Sequence, residues 1–368
     1  MMKLAKSMNK DQNNANSCRA KTANIQEGIE TKRESTYSIV EENTRRRYQK
    51  TFKLALRLSR GLFSNLVGVR APLFCGHKLT YNCNLKCKMC PFWKRSNIDL
   101  STEDEKAVLR QIYDSGACAI AFEGGEPFLR KDLGEILAFS KSLPLQTSLI
   151  TNGTLLESKI DEVAQYINGA VYVSLDGLEK THDSIRGVNG CFKKAIQGIT
   201  AASKKVSVVI NTTIMAENVN EIEDLVRLAK DLDVKISLAV AYEYFEAETS
   251  TINLEIQDIA EKLVELKKYG YPLINSISYF KVIAKQKKWT CKPWLTINVS
   301  PEGSLVLPCY VRNGYAKTVS VLKTSIKTAI SDYNWKETRK CQNCSLHCYV
   351  EPSLALSYDF GAFLNWAL

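Results

Sequence analysis

Between residues 76 and 269, six short β-rich runs alternate with stretches of helical apolar spacing, and this alternation restricts the fold more than any other feature of the chain. The β runs are Gly76–Tyr81, Ala119–Glu123, Gln146–Thr151, Ala170–Leu175, Val206–Ile214 and Lys235–Val240. Helical spacing marks Thr102–Ser115, Asp132–Ser142, Ser158–Tyr166, Phe192–Lys204, Val219–Leu232 and Leu254–Tyr269. Strict alternation implies parallel strands joined by right-handed crossovers, because a strand returns parallel to its neighbour only through a long connection. Eight such units close a barrel, and six leave it open. The sequence therefore predicts an α/β fold, a partial (β/α)6 TIM-like barrel with its site at the C-terminal ends of the strands.

The rest of the chain falls into segments around this core, expected over 71–250. Residues 1–42 are polar and aperiodic and read as a disordered extension. Over 43–70 the pattern turns into a basic amphipathic helix, with Tyr48, Phe52, Ala55, Leu56, Leu62, Phe63 and Leu66 at helical spacing beside Lys50, Lys53, Arg57 and Arg60. Residues 251–290 read as a barrel-closing helix and linker, 291–350 as a small cysteine-rich domain, and 351–368 as a capping segment with Phe360, Phe363, Leu364 and Trp366. The net charge of +11 is concentrated at the N-terminus. Residues 1–70 hold 15 Lys/Arg against 6 Asp/Glu, a surplus of +9, which leaves +2 for residues 71–368. A nearly neutral body disfavours nucleic acid as a partner. The 43–67 helix instead suits an anionic membrane surface or packing on the barrel.

No apolar run approaches the ~18–20 residues that span a bilayer, and Met1 to Ala20 lack a signal-peptide core, so a cytoplasmic protein is expected, peripheral on the inner membrane face if the basic helix binds lipid. In a reducing compartment twelve cysteines point to metal or catalysis rather than disulfides. Eight are clustered: Cys83, Cys87 and Cys90, then Cys291, Cys309, Cys341, Cys344 and Cys348. Cys118 and Cys191 read as small buried apolar residues, and His77 and His182 as packed, hydrogen-bonded ones.

The first β run enters Cys83-Asn-Leu-Lys-Cys87-Lys-Met-Cys90, which places a CxxxCxxC on the loop at the predicted site. Three thiolates can hold three irons of a cubane, leaving a fourth open to the amino and carboxylate groups of a methionine moiety. A zinc knuckle is the alternative, and it needs a fourth ligand that is absent nearby. Gly124-Gly125-Glu126-Pro127 ends the second run, Thr151-Asn152-Gly153 the third and Ser174-Leu175-Asp176-Gly177 the fourth. Each alone is an ordinary turn sequence.

In this order the segments resemble the radical S-adenosylmethionine (SAM) superfamily, over about residues 73–245. The resemblance implies a 4Fe–4S cluster on Cys83, Cys87 and Cys90. It implies SAM contacts from Gly124, Gly125, Glu126 and Pro127 to the methionine amino group, and from Thr151, Asn152, Ser174 and Asp176 to ribose or carboxylate. Arg186 is expected to pair with the SAM carboxylate, a bidentate task that suits a guanidinium. Asn211 is a weaker carry-over. The chain departs from the pattern at Met89, where relatives usually carry an aromatic residue. The C-terminal cysteines resemble the twitch or SPASM extension, with Cys291, Cys309, Cys341 and Cys344 on one auxiliary cluster and Cys348 as a fifth candidate ligand. A zinc ribbon on the same four is the alternative.

The implied activity is reductive cleavage of SAM to a 5′-deoxyadenosyl radical that abstracts hydrogen from a substrate, with electrons from a flavodoxin- or ferredoxin-like donor. The substrate stays open. A small alcohol or sugar fits a one-cluster extension, and a lipid or isoprenoid would explain the basic helix. A peptide maturase is the alternative, against which residues 1–42 are too polar to fold as a leader-binding domain. An iron–sulfur electron carrier would have no use for the Gly-Gly-Glu-Pro segment. Tyr242, Glu243, Tyr244, Glu246 and Glu248 after the sixth run are candidate pocket residues.

Overall fold

A computed structural model of the chain describes residues 52–96, 98–241, 255–310, 317–340 and 344–357. The expectations for residues 1–51, for Tyr242 to Glu248, for Cys341 and for Phe360 to Trp366 lie outside these. The chain divides into two units, Met1–Ala55 and Leu56–Leu368, and of the first only residues 52–55 are described, in helical conformation.

The second unit is built on a nine-stranded sheet. Its strands are β1 (Phe74–Thr80), β2 (Ala119–Gly124), β3 (Gln146–Thr151), β4 (Val171–Ser174), β5 (Val208–Ile214), β6 (Lys235–Val240), β7 (Thr296–Val299), β8 (Ser304–Leu307) and β9 (Lys317–Ser320). Their order is β6-β5-β4-β3-β2-β1-β7-β8-β9, open rather than closed. The six strands read from the sequence occur within two residues of their expected starts and ends, all pairing in parallel. The cysteine-rich segment is continuous with them, since β7 pairs in parallel with β1, and β8 and β9 come next as antiparallel neighbours.

The helices are α1 (52–66), α2 (Thr102–Ser115), α3 (Leu133–Ser142), α4 (Leu156–Val163), α5 (Glu179–Arg186), α6 (Cys191–Ser203), α7 (Ile222–Asp231), α8 (Glu255–Lys268), α9 (Ile277–Ile283), α10 (Ile326–Asp332) and α11 (His347–Ala355). Local chemistry fixes their ends: α2 starts where the Ser101 hydroxyl accepts from the Asp104 amide and stops at left-handed Gly116. The strands alternate with period two. Ile120, Phe122, Leu149, Val171, Val173, Ile210, Ile236, Leu238, Ile297 and Val299 turn to the helices and join one core with Val108, Ile136, Ile160, Ile199 and Leu225. Ala121, Glu123, Ser148, Ile150, Tyr172, Asn211, Thr213 and Ala239 turn to the other face and keep partial accessibility. That face is the lumen of the partial barrel.

The β1–β2 register shifts between Lys78 and Thr80, where β1 enters the first cysteine loop. Such a bulge bends a strand and re-aims the chain beyond it.

α1 corrects one expectation. Arg57 does not face lipid: its guanidinium donates through Nε to the Ala117 carbonyl at 2.7 Å, also donates to the Tyr113 carbonyl, and lies 4.0 Å over the Tyr113 ring. Gly61 is buried beside Leu73, and the Asn65 side chain donates to the Ala71 carbonyl while accepting from the Trp294 indole. One face of α1 is thus packed on the barrel, while Leu56, Phe63 and Leu66 stay exposed. Among the described residues no helix is long and apolar enough to cross a membrane. Removing the Arg57 head group strips two buried carbonyls of their donor, so Arg57→Met should lower unfolding stability by about 1–2 kcal/mol, whereas exposed Arg60→Gln should change it by less than about 0.5 kcal/mol. Urea unfolding of the two variants distinguishes a packed helix from a free one.

Candidate functional site

Two short backbone hydrogen bonds fix the start of the first cysteine loop. The Gly125 amide donates to the Thr80 carbonyl at 2.7 Å and the Glu126 amide to the Asn82 carbonyl at 2.8 Å. A Cβ on Gly125 would stand 2.0 Å from the Asn82 oxygen, and one on Gly124, at φ +133°, 2.3 Å from the Thr80 oxygen, so neither position admits a side chain. The loop's far side rests on α5: the Lys86 amide donates to the Arg186 carbonyl at 3.3 Å and the Lys88 amide to Ile185 at 3.0 Å.

Between these supports Cys83, Cys87 and Cys90 share one cluster of side chains with Leu85, Met89 and Cys191. Burial pushes the Cys83 thiol up to about 11, and it raises Cys87 against the opposing pull of Arg186. Left to themselves these groups favour the protonated form, and a metal that binds them must displace the protons. Among the described residues no three His, Cys, Asp or Glu side chains converge as a single ion requires. The three thiols belong to one cluster of side chains, and a cubane would take each thiolate on a different iron.

Glu126 is fully buried, and its carboxylate accepts from the Phe128 amide at 3.2 Å, the Thr151 hydroxyl at 2.8 Å and the Asn152 amide at 2.8 Å. Burial raises its pKa to about 6 despite these donors. Asn152 continues the chain of contacts, donating to Asn84 Oδ1 at 2.8 Å and lying 4.0 Å from Cys83 Sγ. Glu126, Thr151 and Asn152 therefore brace the cysteine loop, while Pro127 starts the buried turn that comes next.

Ser174 and Asn211 sit side by side in the β4–β5 register. Asp176 is fully buried and receives the Thr213 amide at 2.8 Å. It forms an ion pair with Arg186, whose Nη1 also donates to Cys87 Sγ at 3.7 Å. His182 holds this pair in place: its Nδ1 accepts from the Asp176 amide at 3.0 Å, and burial, with Arg186 adding to it, drives its pKa down to about 3. The ring is packed and hydrogen-bonded, as read from the sequence. His77 is likewise packed, 2.6 Å from Glu105. Among the described residues, buried Arg186 Nε and His182 Nε2 have no hydrogen-bond partner, whereas Asp176 Oδ2 lies 2.5 Å from Arg186 Nη2. Unused guanidinium donor capacity beside the thiols is what a carboxylate such as that of the methionine end of SAM would use.

Four cysteines of the second group lie within electrostatic range of one buried side chain. Cys309, Cys348, Cys291 and Cys344 all act electrostatically on buried Tyr349, whose hydroxyl accepts from Asn298 Nδ2 at 2.6 Å. Burial holds that phenol well above its ordinary pKa. Cys348 has exposed surface, yet surrounding protein raises its thiol pKa. Cys341 lies outside the described residues.

Lys78 and Glu123 escaped the sequence reading. They face each other across the β1–β2 register as an ion pair in the lumen. The Lys78 ammonium lies 4.8 Å over Phe92 and 4.4 Å over Tyr310, which links the loop after Cys90 to the residue after Cys309. The available signal was a charge at a lumen-facing position of each of two adjacent strands.

Residues 78–229 match the Radical SAM superfamily, and residues 236–363 match a domain of unknown function, DUF3463. The Fe-coproporphyrin III synthase of Methanosarcina barkeri is 33% identical over 159 residues, 42% of this chain and 40% of that one. The PqqA peptide cyclase of Rhizobium meliloti is 30% identical over 249 residues, 63% of this chain and 66% of the cyclase. The chain therefore spans less than half the length of the first relative and just under two thirds of the second. Streptococcus suis SuiB, crystallised with S-adenosylmethionine, shares the fold at a TM-score of 0.64 and 18% identity, over 74% of this chain and 68% of that one.

Glu126→Ala should destabilise the fold by on the order of 3 kcal/mol, because two buried amides and a hydroxyl lose their acceptor. Glu126→Gln keeps one acceptor oxygen and should fall between alanine and wild type. A wild-type urea midpoint for Glu126→Ala would remove the bracing role from this residue.

Proposed function

Because the chain belongs to the radical SAM superfamily through residues 78–229, we propose that it cleaves S-adenosylmethionine reductively and uses the product to abstract hydrogen from a substrate held in the barrel lumen. The observation that carries this reading is the cysteine loop: Cys83, Cys87 and Cys90 gathered in one side-chain cluster, with Arg186 donating to Cys87 Sγ and keeping its buried Nε free of any partner among the described residues. When bound, the cluster and SAM supply one-electron cleavage to methionine and a 5′-deoxyadenosyl radical. The chain's residues supply position. Arg186 and Asp176 would hold the methionine carboxylate and amino groups, with the Gly124–Gly125 backbone near them. Ser174 and Asn211 would contact the ribose. Burial around the loop keeps water from the reacting atoms.

For the second cysteine group, one auxiliary cluster on Cys291, Cys309 and Cys344 with Cys341 or Cys348 is the proposed occupant. Cys348 is supported by its place among the thiols around Tyr349. The lumen's chemistry bears on the substrate. Its partly accessible positions include Ser148, Tyr172, Asn211 and Thr213, and the Lys78–Glu123 pair adds charge. These groups offer hydrogen bonds, which favours a substrate bearing hydroxyl or amide groups, a small alcohol, a sugar or a peptide side chain, over a bare isoprenoid. Among the described residues, a membrane-surface role for α1 keeps its exposed apolar residues, Lys53 and Arg60 as support.

Anaerobically reconstituted enzyme should bind about eight irons, four per cubane, and a Cys83→Ala/Cys87→Ala/Cys90→Ala variant about four. With dithionite the wild type should release 5′-deoxyadenosine and methionine in equal amounts, slowly in the absence of substrate, and the triple variant none. Deoxyadenosine from the triple variant, or none from a wild type holding its full iron, overturns this reading.

A further inference from the structure

The cysteine loop has an outer wall of a different character from its inner one. Leu85 and Cys87 are buried, whereas the residues between and after them, Lys86 and Lys88, are exposed. Lys88 Nζ donates to Ser184 Oγ at 3.1 Å, so the loop and the outer face of α5 form one surface. Four residues earlier on α5, hence one turn away on the same face, Lys180 is exposed. The start of α6 joins this surface through Asp183, which accepts from the amides of Gly190 and Phe192, and exposes Lys193 and Lys194. Val188, next to the Gly187 that packs on the Lys86 backbone, is an apolar side chain 38% exposed among these cations.

Little opposes the charge. Over residues 84–96 there is no acidic residue, and over 178–194 there are two, Glu179 and Asp183. Asp183 is occupied by its two amides and the Cys191 thiol. Residues 71–368 as a whole carry only +2, so this is a local concentration and not a share of general basicity. Two of its lysines, Lys86 and Lys88, stand on the loop that carries the thiols. An apolar centre rimmed by one sign of charge is the composition of a steered, transient protein interface.

We propose that the surface formed by Lys86, Lys88, Lys180, Val188, Lys193 and Lys194 is the docking site for an acidic one-electron-transfer protein of the flavodoxin or ferredoxin class. This rests on the proposed SAM cleavage, which consumes one electron per turnover. At each docking the partner is oxidised by one electron and the enzyme reduced by one, and no bond forms or breaks between them. The placement brings the partner to the loop that carries the thiols. Complementary charge raises the encounter rate and makes it fall with salt.

The test compares two reductants on the reconstituted full chain. With reduced flavodoxin as the donor, Lys180→Glu/Lys193→Glu/Lys194→Glu should form 5′-deoxyadenosine at least about 10-fold more slowly than wild type, and with dithionite at the same rate. Raising salt should slow the flavodoxin-driven wild-type reaction and leave the dithionite-driven one alone. Binding of oxidised flavodoxin, measured by titration calorimetry, should weaken by a similar factor in the variant. That measurement needs no SAM chemistry, so it stands or falls apart from the cleavage reading. Unchanged flavodoxin binding or an unchanged flavodoxin-driven rate in the variant overturns the proposal. So does a salt-insensitive wild-type rate, or single-stranded RNA displacing flavodoxin at equal concentration, which would mark a general polyanion surface.

Discussion

The backbone of Gly125 passes the Asn82 carbonyl so closely that a Cβ would stand 2.0 Å from its oxygen, and the geometry of the thiol loop depends on that approach. Only at such range can successive amides of one loop, Gly125 and Glu126, reach carbonyls at the end of β1 and beginning of the next loop. Thr80 and Glu126 are buried, and there an amide or carbonyl left without a partner is expensive and one correctly paired is rigid. The Glu126 carboxylate then carries the constraint to β3, through Thr151 and Asn152, and Asn152 returns it to Asn84. Three strands thus fix one irregular loop, without a regular element of its own at Cys83, Cys87 or Cys90.

The barrel was legible because parallel strands buried on one face leave runs of β-branched residues between amphipathic helices, and Val171–Ser174 and Val208–Ile214 announce themselves that way. What was missed has physical causes. α5, Glu-Lys-Thr-His-Asp-Ser-Ile-Arg, has few apolar residues to set a period, and its buried positions include His182 and Arg186, which hydrogen bonds and charge stabilise rather than hydrophobic burial. β7 and β8 are four residues each, too short to show alternation, and lie among cysteines that suggest a different architecture. Of the site, contiguous motifs were readable and contacts across strands were not. Lys78 meets Glu123 only because β1 and β2 pair in one particular register, with a shift after Lys78, and nothing in either strand's sequence specifies that pairing. For the same reason Thr151 and Asn152, singled out for contacts with a ligand, are engaged here with Glu126 and Asn84.

The C-terminal cysteines depend on the same sheet. β7 is laid against β1 and turns Asn298 into the lumen, where it meets Tyr349 of α11; Thr296 Oγ1 donates to the Cys348 carbonyl at 2.7 Å. Glu351, from the same helix, accepts from the Ser276 amide at 2.7 Å and ties α11 to the start of α9. A short helix interrupted by Pro352 would be marginal alone, and these side-chain bonds to a completed sheet position it. The second thiol group is therefore formed by tertiary contacts and not by local sequence, which is why its ligands are scattered over 291–348 while the first set spans eight residues.

Charge is sorted by depth across this region. Inside, Lys78 is matched by Glu123 and Arg186 by Asp176, as desolvation requires of any ion that is to remain ionised. Arg186 also reaches Cys87, so a cation already stands where metal binding would convert a thiol to a thiolate and add negative charge. Pairing cancels the inner charges at long range, and a protein approaching from solvent senses little of them. The exposed lysines of the loop's outer wall form no ion pair among the described residues, Asp183 is turned to backbone amides, and Glu179 alone stands exposed among them. The potential outside the thiol loop is accordingly set by Lys86, Lys88, Lys180, Lys193 and Lys194, and it is positive although the body of the chain is close to neutral. The same loop thus presents thiols under a compensating guanidinium inward and a cationic surface outward, and the alternation of buried and exposed residues from Leu85 to Lys88 produces both.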